Sequence, residues 1–450
     1  MLDQKSISAL AEALKRLDEG FAALPAYESN APGMKQLVDV LKATAERLQD
    51  NFPYFHPLYA GQMLKPPHPV ARLAYALAMW INPNNHALDG GRATSAMEKE
   101  AVAEIAAMFG WKQFLGHLCG GGTLANLEAL WVAGQLQPGK TILASEQAHY
   151  THKRISGVLQ LAFESVPGDG RGRMDVAALA KRVARGDVGT VVATLGTTAT
   201  GSVDALPEIL ALREKYGFRV HADAAYGGYF VLAQNLGENA ARAFARIGEA
   251  DSIVIDPHKH GLQPYGCGCV LFRDPAAGRL YKHDSPYTYF SSAELHLGEI
   301  SLECSRPGAA AAALWATQKL LPLTKNGEFA RGLEGGSKAA GALFEKLRAD
   351  ARFMTAFPPE LDIVVFAPRA PSVSEASRLT RLIFEAAAKR QLHLAVAELP
   401  VPFWEENLGA MKRDRETMTC LRSVLMKPEH LDWVERIWDL LGASTTEVLL

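Results

Sequence analysis

The 450-residue chain has few cysteines, no long hydrophobic run and no excess of charge of either sign. Its five cysteines are an odd, sparse set, and Cys267 and Cys269 form a C-x-C pair without the second ligand pair that a structural zinc site needs. The 47 basic and 49 acidic residues almost cancel, so the composition lacks the basic excess typical of nucleic-acid binding. We therefore expect reduced thiols in a cytoplasmic protein that binds neither a metal nor a nucleic acid.

The longest apolar stretch, residues 70–81, contains Arg72 and is too short to cross a bilayer. Near the N-terminus Leu10, Leu14 and Leu17 recur at helical spacing among charged residues, which predicts an amphipathic helix instead of a signal peptide. The remaining composition is that of an ordinary globular protein, with 48% hydrophobic and 21% charged residues. The sequence therefore predicts two or three domains and no membrane partner.

From about residue 140 the chain alternates between buried strands and helices. Continuous apolar segments predict the strands, and apolar residues at helical spacing, closed by a glycine, predict the helices. This alternation favours a mostly parallel sheet covered on both faces, whereas the last strand follows its predecessor closely enough to be antiparallel. The predicted strands cover residues 141–145, 161–166, 190–196, 218–225, 252–259 and 268–272, and the predicted helices include 174–186 and 205–217.

Beyond about Asn326 the strands become fewer and alternate with longer helices. This change predicts a smaller α+β domain at the C-terminal end. We expect three regions, namely a helical and extended N-terminal segment over residues 1–60, a large domain over 61–326 and a small domain over 327–450.

Two segments place polar residues directly after apolar strands. Lys259 lies in DPHKHGLQPYGCG (residues 256–268), and Asp223 lies in HADAAYGG (residues 221–228). Groups that handle ligands gather at this edge of α/β sheets, although most lysines at strand ends are simply solvated. A buried Asp223 needs a partner, which is either a set of backbone amides or a cation such as a protonated pyridine nitrogen. The small residues after Asp223 would let a flat ring approach the backbone.

Two further segments contain residues that could also contact a ligand. Three glycines and Thr123 open a predicted helix in HLCGGGTLANLEAL (residues 117–130), where free N–H groups suit a phosphate, although an ordinary glycine-rich helix start has the same appearance. The spacing matches neither a Walker A loop nor GxGxxG. His149 follows a strand in SEQAHYTHKR (residues 145–154), where an imidazole can cover a planar ligand or be an ordinary packed residue.

The four segments, in this order, resemble the group II pyridoxal-phosphate-dependent amino acid decarboxylases. The resemblance extends from about Phe52 to about Leu440, and residues 82–100 and 122–131 are most similar to bacterial tyrosine decarboxylases. It implies pyridoxal 5′-phosphate as the cofactor and a homodimer with shared active sites. The implied fold is the aspartate-aminotransferase-like fold type I, with a large, mostly parallel seven-stranded sheet domain and a small α+β C-terminal domain.

The resemblance also implies a role for each matching residue. Lys259 is expected to bond covalently to the cofactor aldehyde, Asp223 to pair with the pyridine nitrogen, and His149 to stack on the ring and orient the substrate. The other expected contacts are Gly122 and Thr123 at the phosphate, Asn126 in support of that turn, Ala225 and Thr198 near the ring, and His258 at the phosphate or the ring.

The segment at residues 283–299 departs from the family pattern. Family members often carry a tyrosine on this loop that protonates the substrate carbon after carbon dioxide leaves. This chain has Tyr287 and Tyr289 early in the loop and no tyrosine over residues 291–304. We assign the proton donor to Tyr289, with His149 and His296 as alternatives.

Two arginines resemble family positions without a fixed role. For Arg306 the resemblance implies a contact with the phosphate or with the partner subunit. Arg422 resembles a small-domain arginine near substrate carboxylates, and an exposed strand arginine is the alternative.

The activity implied by the resemblance is decarboxylation of an L-amino acid to its amine and carbon dioxide. Tyrosine or a related aromatic amino acid is the leading substrate, and acidic amino acids come next. A carbon–carbon lyase of the sphingosine-phosphate-lyase type and a cofactor-binding protein with an inactive site are the alternatives. An aldehyde product would indicate the lyase, and cofactor binding without turnover would indicate the inactive site.

Overall fold

The computed structural model describes residues 4–26, 33–282 and 296–450. The described strands and helices alternate through the middle of the chain, as the apolar patterning predicts. The strands are β1 Leu115–Cys119, β2 Thr141–Ser145, β3 Phe163–Val166, β4 Val188–Thr194, β5 Arg219–Asp223, β6 Ser252–Ile255, β7 Gly268–Phe272, β8 Phe353–Thr355, β9 Ile363–Pro368, β10 Ala395–Pro400 and β11 Thr417–Val424. The helices are α1 Gln4–Glu19, α2 Met34–Leu48, α3 Pro69–Met79, α4 Leu88–Met108, α5 Gly122–Leu136, α6 Thr151–Val158, α7 Val176–Val183, α8 Leu206–Tyr216, α9 Glu238–Ala245, α10 Gly308–Leu320, α11 Glu328–Ala349, α12 Val373–Lys389, α13 Glu405–Leu408 and α14 His430–Leu449.

Seven strands form the large sheet in the order β1-β7-β6-β5-β4-β2-β3. The pairs from β3 to β6 are parallel, whereas β7 is antiparallel to both β6 and β1. This arrangement confirms the predicted fold class, including the antiparallel strand at residues 268–272. The helix boundaries have local causes, since Asp175 caps α7 by accepting from two backbone N–H groups and Gly217 ends α8 at φ +74°.

The parallel strands β4, β5 and β6 all end at one edge of the sheet. Thr194 pairs with Asp223 across β4 and β5, and Asp223 pairs with Val254 across β5 and β6. The residues that follow these strands therefore lie side by side. The helix α5 begins against the same edge, because Gly122 lies beside Asp256 just after β6.

The C-terminal part forms a second sheet of four antiparallel strands in the order β10-β11-β9-β8. The helices α11 and α12 pack against this sheet, and α14 packs on both helices. Ala60 packs within the hydrophobic cluster of this part, together with Phe366 and Leu421. The segment before α3 therefore joins the N-terminal residues to the small sheet. The domain boundaries at residues 60 and 326 stay predictions. No helix among the described residues combines the length and apolarity that a membrane span requires.

Candidate active site

A cavity of about 570 Å³ opens at the carboxyl ends of β4, β5 and β6. It lies between the first turn of α5, the loop before α6 and the segment after β6. The eight residues with predicted cofactor contacts all line it, namely Gly122, Thr123, His149, Thr198, Asp223, Ala225, His258 and Lys259. The order of the strands thus brings together residues up to 137 positions apart in the chain. The individual roles of these residues stay predictions.

Asp223 ends β5 with only 5% of its surface exposed. Its Oδ2 accepts a hydrogen bond from His152 Nε2 at 2.8 Å, and its Oδ1 accepts from the Ala225 backbone N–H at 3.2 Å. Burial opposes ionisation, but the hydrogen bond from His152 and the neighbouring charges outweigh it and hold the pKa of Asp223 well below its usual range. The cavity therefore contains a buried carboxylate that stays anionic at neutral pH.

His152 contacts Asp223 and was not identified in the sequence. It lies three residues after His149, on the first turn of α6, and is 1% exposed. Its Nδ1 has no hydrogen-bond partner in the part of the chain that the structure describes. The signal in the sequence is weak, because a polar residue at a buried helix position predicts a partner without identifying it. That partner, Asp223, lies 71 residues away.

His221 and Asn126 form a second buried polar pair beneath the cavity. His221 Nε2 lies 2.8 Å from Asn126 Oδ1, and its Nδ1 lies 2.8 Å from Ser252 Oγ. Burial lowers the pKa of His221 to about 3, so this ring is neutral. Asn126 lines the cavity on α5, and its side-chain oxygen links α5 to β5, whereas its support of a phosphate stays a prediction.

Lys259 lies in a turn after β6, and its Nζ is 3.3 Å from Asp256 Oδ2. The same carboxylate is 3.5 Å from His258 Nε2, while His258 Nδ1–H donates to the Cys267 carbonyl at 2.8 Å. Burial lowers the pKa of His258, which favours its neutral form. Asp256, to which the sequence analysis assigned no role, thus holds the lysine at the cavity wall.

The glycine-rich turn allows α5 to begin in close contact with this wall. Gly121 has φ +144°, a backbone conformation that favours glycine. A Cβ atom on Gly122 would lie 2.6 Å from Asp256 Oδ2, which leaves no room for a side chain. The first N–H groups of a helix have no intrahelical acceptor, so this turn presents donors to the cavity.

His149 lies in the loop between β2 and α6 and lines the cavity from another side. Its Nδ1 is 2.8 Å from Thr151 Oγ1, and its ring packs on Tyr150 at a centroid distance of 4.5 Å. Burial lowers the pKa of His149, so the imidazole is neutral at neutral pH. A neutral planar ring in this position is suited to stacking.

These residues fit the cofactor that the sequence resemblance implies. Pyridoxal phosphate needs a lysine for its aldehyde, an anion for its ring nitrogen and donors for its phosphate. Lys259, Asp223 and the first turn of α5 supply these three groups around one cavity. Thr194 Oγ1 and Asp256 Oδ1 are buried, belong to residues of the same lining and have no hydrogen-bond partner among the described residues, which is consistent with a polar ligand.

Several predicted residues lie away from this cavity lining. Arg306 is 5% exposed and donates to Glu98 Oε1 at 2.8 Å and to the Leu118 carbonyl, which makes it part of a buried ion pair. His296 is 1% exposed, and its Nδ1 accepts from the Leu88 N–H. Tyr287 and Tyr289 lie outside the described residues.

Arg422 lies on β11 and is 5% exposed, so the alternative of an exposed strand arginine is wrong. The side chain points toward the segment before α3 because its Nη1 donates to Gly61 O and Gln62 Oε1, both at 3.2 Å. Its Nε and Nη2 have no hydrogen-bond partner among the described residues.

Comparisons with known proteins agree with the geometry. A family model described as the pyridoxal-dependent decarboxylase conserved domain matches residues 37–369. An L-tyrosine decarboxylase of Enterococcus faecium is 29% identical, over 69% of this chain and 67% of that protein. A probable L-tyrosine/L-aspartate decarboxylase of Methanothermobacter thermautotrophicus is 28% identical, over 79% of this chain and 96% of that protein.

The solved structure of Oryza sativa TDC with PLP and tryptamine has a similar fold, with a TM-score of 0.77, 19% identity and coverage of 99% of this chain and 97% of that one. The chain spans about two thirds of the length of the Enterococcus and Levilactobacillus tyrosine decarboxylases that it matches. The family model covers most of the chain, including every residue that lines the cavity. The chain therefore belongs to the family of pyridoxal-dependent decarboxylases.

Proposed function

We propose that this protein decarboxylates an L-amino acid to the amine and carbon dioxide with pyridoxal phosphate as its cofactor. The observation that carries the proposal is the cavity that places anionic Asp223 and Lys259 on the same sheet edge, beside the first turn of α5. When bound, the cofactor supplies an electron sink for the carbon that loses its carboxylate. The other steps depend on residues of this chain.

Asp223 would hold a proton on the ring nitrogen of the bound cofactor, because the carboxylate remains an anion. Its low pKa makes transfer of that proton to the carboxylate unfavourable, and His152 holds one of its oxygens in place. The Ala225 N–H fixes the other oxygen. The orientation of the carboxylate toward the cavity is therefore constrained. A hydrogen bond to a nitrogen atom in a planar ring would require such an orientation.

Lys259 and His149 would hold the bound cofactor from other sides of the cavity. Lys259 would supply the amine for its aldehyde. The neutral His149 would lie over the bound cofactor, exclude water and orient the substrate. Such orientation would select loss of carbon dioxide over cleavage of another bond.

An aromatic side chain suits this cavity better than an acidic one. Leu124, Leu127 and Tyr150 contribute apolar surface, and among the described lining residues Lys259 is the one lysine or arginine. A carboxylate side chain would require a further cation. Relatives at 28–29% identity are named L-tyrosine decarboxylases, which supports tyrosine as the substrate.

Release of carbon dioxide from each of the twenty amino acids by the purified, cofactor-loaded protein tests this proposal. We expect release from L-tyrosine or a related aromatic amino acid and much less from glutamate and aspartate. Preferential release from an acidic amino acid would contradict the aromatic substrate, but it would agree with the proposed decarboxylase activity. If none of the twenty amino acids released carbon dioxide, the proposed decarboxylase activity would be contradicted.

We further propose a homodimer. Met79, Trp80 and Ile81 are 52%, 67% and 53% exposed and form a contiguous apolar segment at the end of α3. The helices α1 and α2 contain no buried residue, although both are amphipathic. A subunit interface would cover this apolar surface. The cellular site that we propose is the cytoplasm, where the five free cysteines would stay reduced.

Light scattering at the assay concentration tests the dimer. We expect a mass of about twice the 48.7 kDa of one chain. Trp80→Glu should shift the protein toward monomers because it places a charge in the apolar segment. A monomeric wild-type protein with full activity would show that the interface is not needed.

Tyr289, which lies outside the described residues, stays our predicted proton donor. A phenol is weakly acidic and suits protonation of the substrate carbon after carbon dioxide leaves. Tyr289→Phe should slow amine formation by about a hundredfold and raise the fraction of turnovers that inactivate the cofactor. Measuring amine yield and residual activity together checks this. Unchanged values would shift the assignment to His149.

His152 positions Asp223, and its removal should change a pH profile. Without the hydrogen bond that lowers it, the pKa of Asp223 rises, so the carboxylate takes up a proton at a higher pH. In His152→Phe the acidic limb of cofactor binding should therefore move to higher pH, as equilibrium dialysis across pH 4–8 would show. Lys153→Gln, on the exposed side of the same helix, is the matched control. An unchanged acidic limb would contradict this role.

A further inference from the structure

A second cavity of about 580 Å³ lies between the segment before α3, the start of α11 and the segment after β11. It shares no lining residue with the candidate active site. Four basic side chains line it, namely Lys65, Arg72, Arg331 and Lys427. We propose that this second cavity binds a small polyvalent anion that carries phosphate or carboxylate groups.

The two lysines line the cavity without a close ion pair to any described residue. Lys427 is 2% exposed, and its Nζ donates to the carbonyls of Tyr59 at 2.6 Å and Leu64 at 3.3 Å. Lys65 Nζ donates to the Met426 carbonyl at 3.3 Å. Neither lysine has a carboxylate within 4.0 Å among the described residues. Two ammonium groups with only carbonyl acceptors leave room for an anion.

The electrostatics of the lysines point the same way. Burial, with some help from the charge of Lys65, lowers the pKa of Lys427 to about 7. Burial also lowers the pKa of Lys65 to about 8. A bound anion would offset the cost of burying both charges, so it would favour their protonated forms.

The wall beside the lysines adds unsatisfied donors. His260 is 1% exposed and lines the cavity, and neither of its ring nitrogens has a hydrogen-bond partner among the described residues, although Nε2 lies 3.3 Å from Asp362 Oδ2. Arg72 Nε is buried and has no partner in that part of the chain. The start of α11 also faces the cavity, so its first N–H groups add positive potential.

Two acidic groups lie at the rim and a third is buried behind the wall. Glu328 and Glu429 line the opening and are exposed, whereas Asp362 is buried beside His260 and does not line the cavity. The charged and titratable groups that face the lysines are therefore Arg72, Arg331, His68, His260, His430, Tyr59, Asp362, Glu328 and Glu429. Among the described lining residues four are lysine or arginine and two are glutamate, and a cavity of this volume accommodates a small metabolite.

Calorimetric titration of the cofactor-loaded protein with sulfate and with succinate tests the proposal. Both probes are fully ionised between pH 7 and pH 9, so protons taken up on binding come to the protein. Because the anion raises the pKa of the lysines, binding should take up roughly one proton at pH 8 and should weaken as the pH rises from 7 to 9. Titration in two buffers of different ionisation enthalpy measures this uptake. Saturable sulfate binding would assign a phosphate-type ligand, and saturable succinate binding a carboxylate.

Variants distinguish anion binding in this cavity from nonspecific binding elsewhere on the protein. Lys427→Met should weaken binding by about tenfold or more and reduce proton uptake, because a charge-assisted hydrogen bond is lost. Arg72→Gln should also weaken binding and serves if the first variant does not fold. Lys338→Gln, exposed on α11 away from the cavity, should change nothing. The proposal would be overturned if neither anion showed saturable binding. It would also be overturned if the Lys427 and Arg72 variants bound the anion as tightly as the wild type.

Discussion

Lys259→Ala should abolish decarboxylation and remove the near-visible absorbance of the bound cofactor. Lys259 lines the cavity with its Nζ 3.3 Å from Asp256, and it is the one lysine among the described lining residues. No other amine in that lining can attach the cofactor aldehyde. Borohydride treatment followed by peptide mapping should therefore label Lys259 in the wild type and no lysine in the variant.

Lys153→Ala is the matched control for this experiment, since Lys153 is an exposed lysine on α6 near the cavity. It should keep the absorbance, the label and the turnover. A borohydride-stable adduct on the Lys259 variant would show that another lysine attaches the cofactor.

Asp223→Asn should keep the fold and reduce turnover by roughly a thousandfold. The amide fills the same space and can still accept from the Ala225 N–H, but it carries no charge to hold a proton on the ring nitrogen. Loss of one partner of a buried charge pair costs about 3–5 kcal/mol, and each 1.4 kcal/mol is about a tenfold change in rate. Turnover measured at saturating cofactor checks the effect on the rate apart from any effect on binding.

Asp169→Asn is a suitable control, because Asp169 is an acidic residue that lies outside the described lining of the cavity. It should leave turnover unchanged. Near-normal turnover in Asp223→Asn would rule out Asp223 as the partner of the ring nitrogen.

The sheet could be predicted from the sequence because its strands are short apolar segments with clear boundaries. The strands at residues 141–145 and 268–272 have the predicted bounds, since each is uniformly buried and ends at polar or glycine-containing turns. The apolar pattern also predicts a strand over residues 393–399, but β10 begins two residues later, because His393 pairs with the segment near Tyr59 instead of with β11. Edge pairing of this kind leaves no signature in periodicity.

The cavity could be predicted only in part. Motifs at strand ends identify Asp223 and Lys259, because the carboxyl edge of a parallel sheet collects such residues. The contacts of His152 with Asp223, and of His221 with Asn126, depend on which helices cover which strands. The same limit applies to the second cavity, where Lys65 and Lys427 meet from positions more than 360 residues apart. The sequence pattern indicates which polar residues are buried, but it does not identify the residues that they contact.

We propose that this protein releases an amine and carbon dioxide from an aromatic L-amino acid. The most direct test follows carboxyl-labelled L-tyrosine with the cofactor-loaded wild type and the Lys259→Ala variant, and quantifies labelled carbon dioxide and tyramine in each sample. We expect equal amounts of the two products from the wild type and neither from the variant. Consumption of tyrosine with an aldehyde or keto acid as the product, or tyramine formation by the variant, would contradict the proposed function.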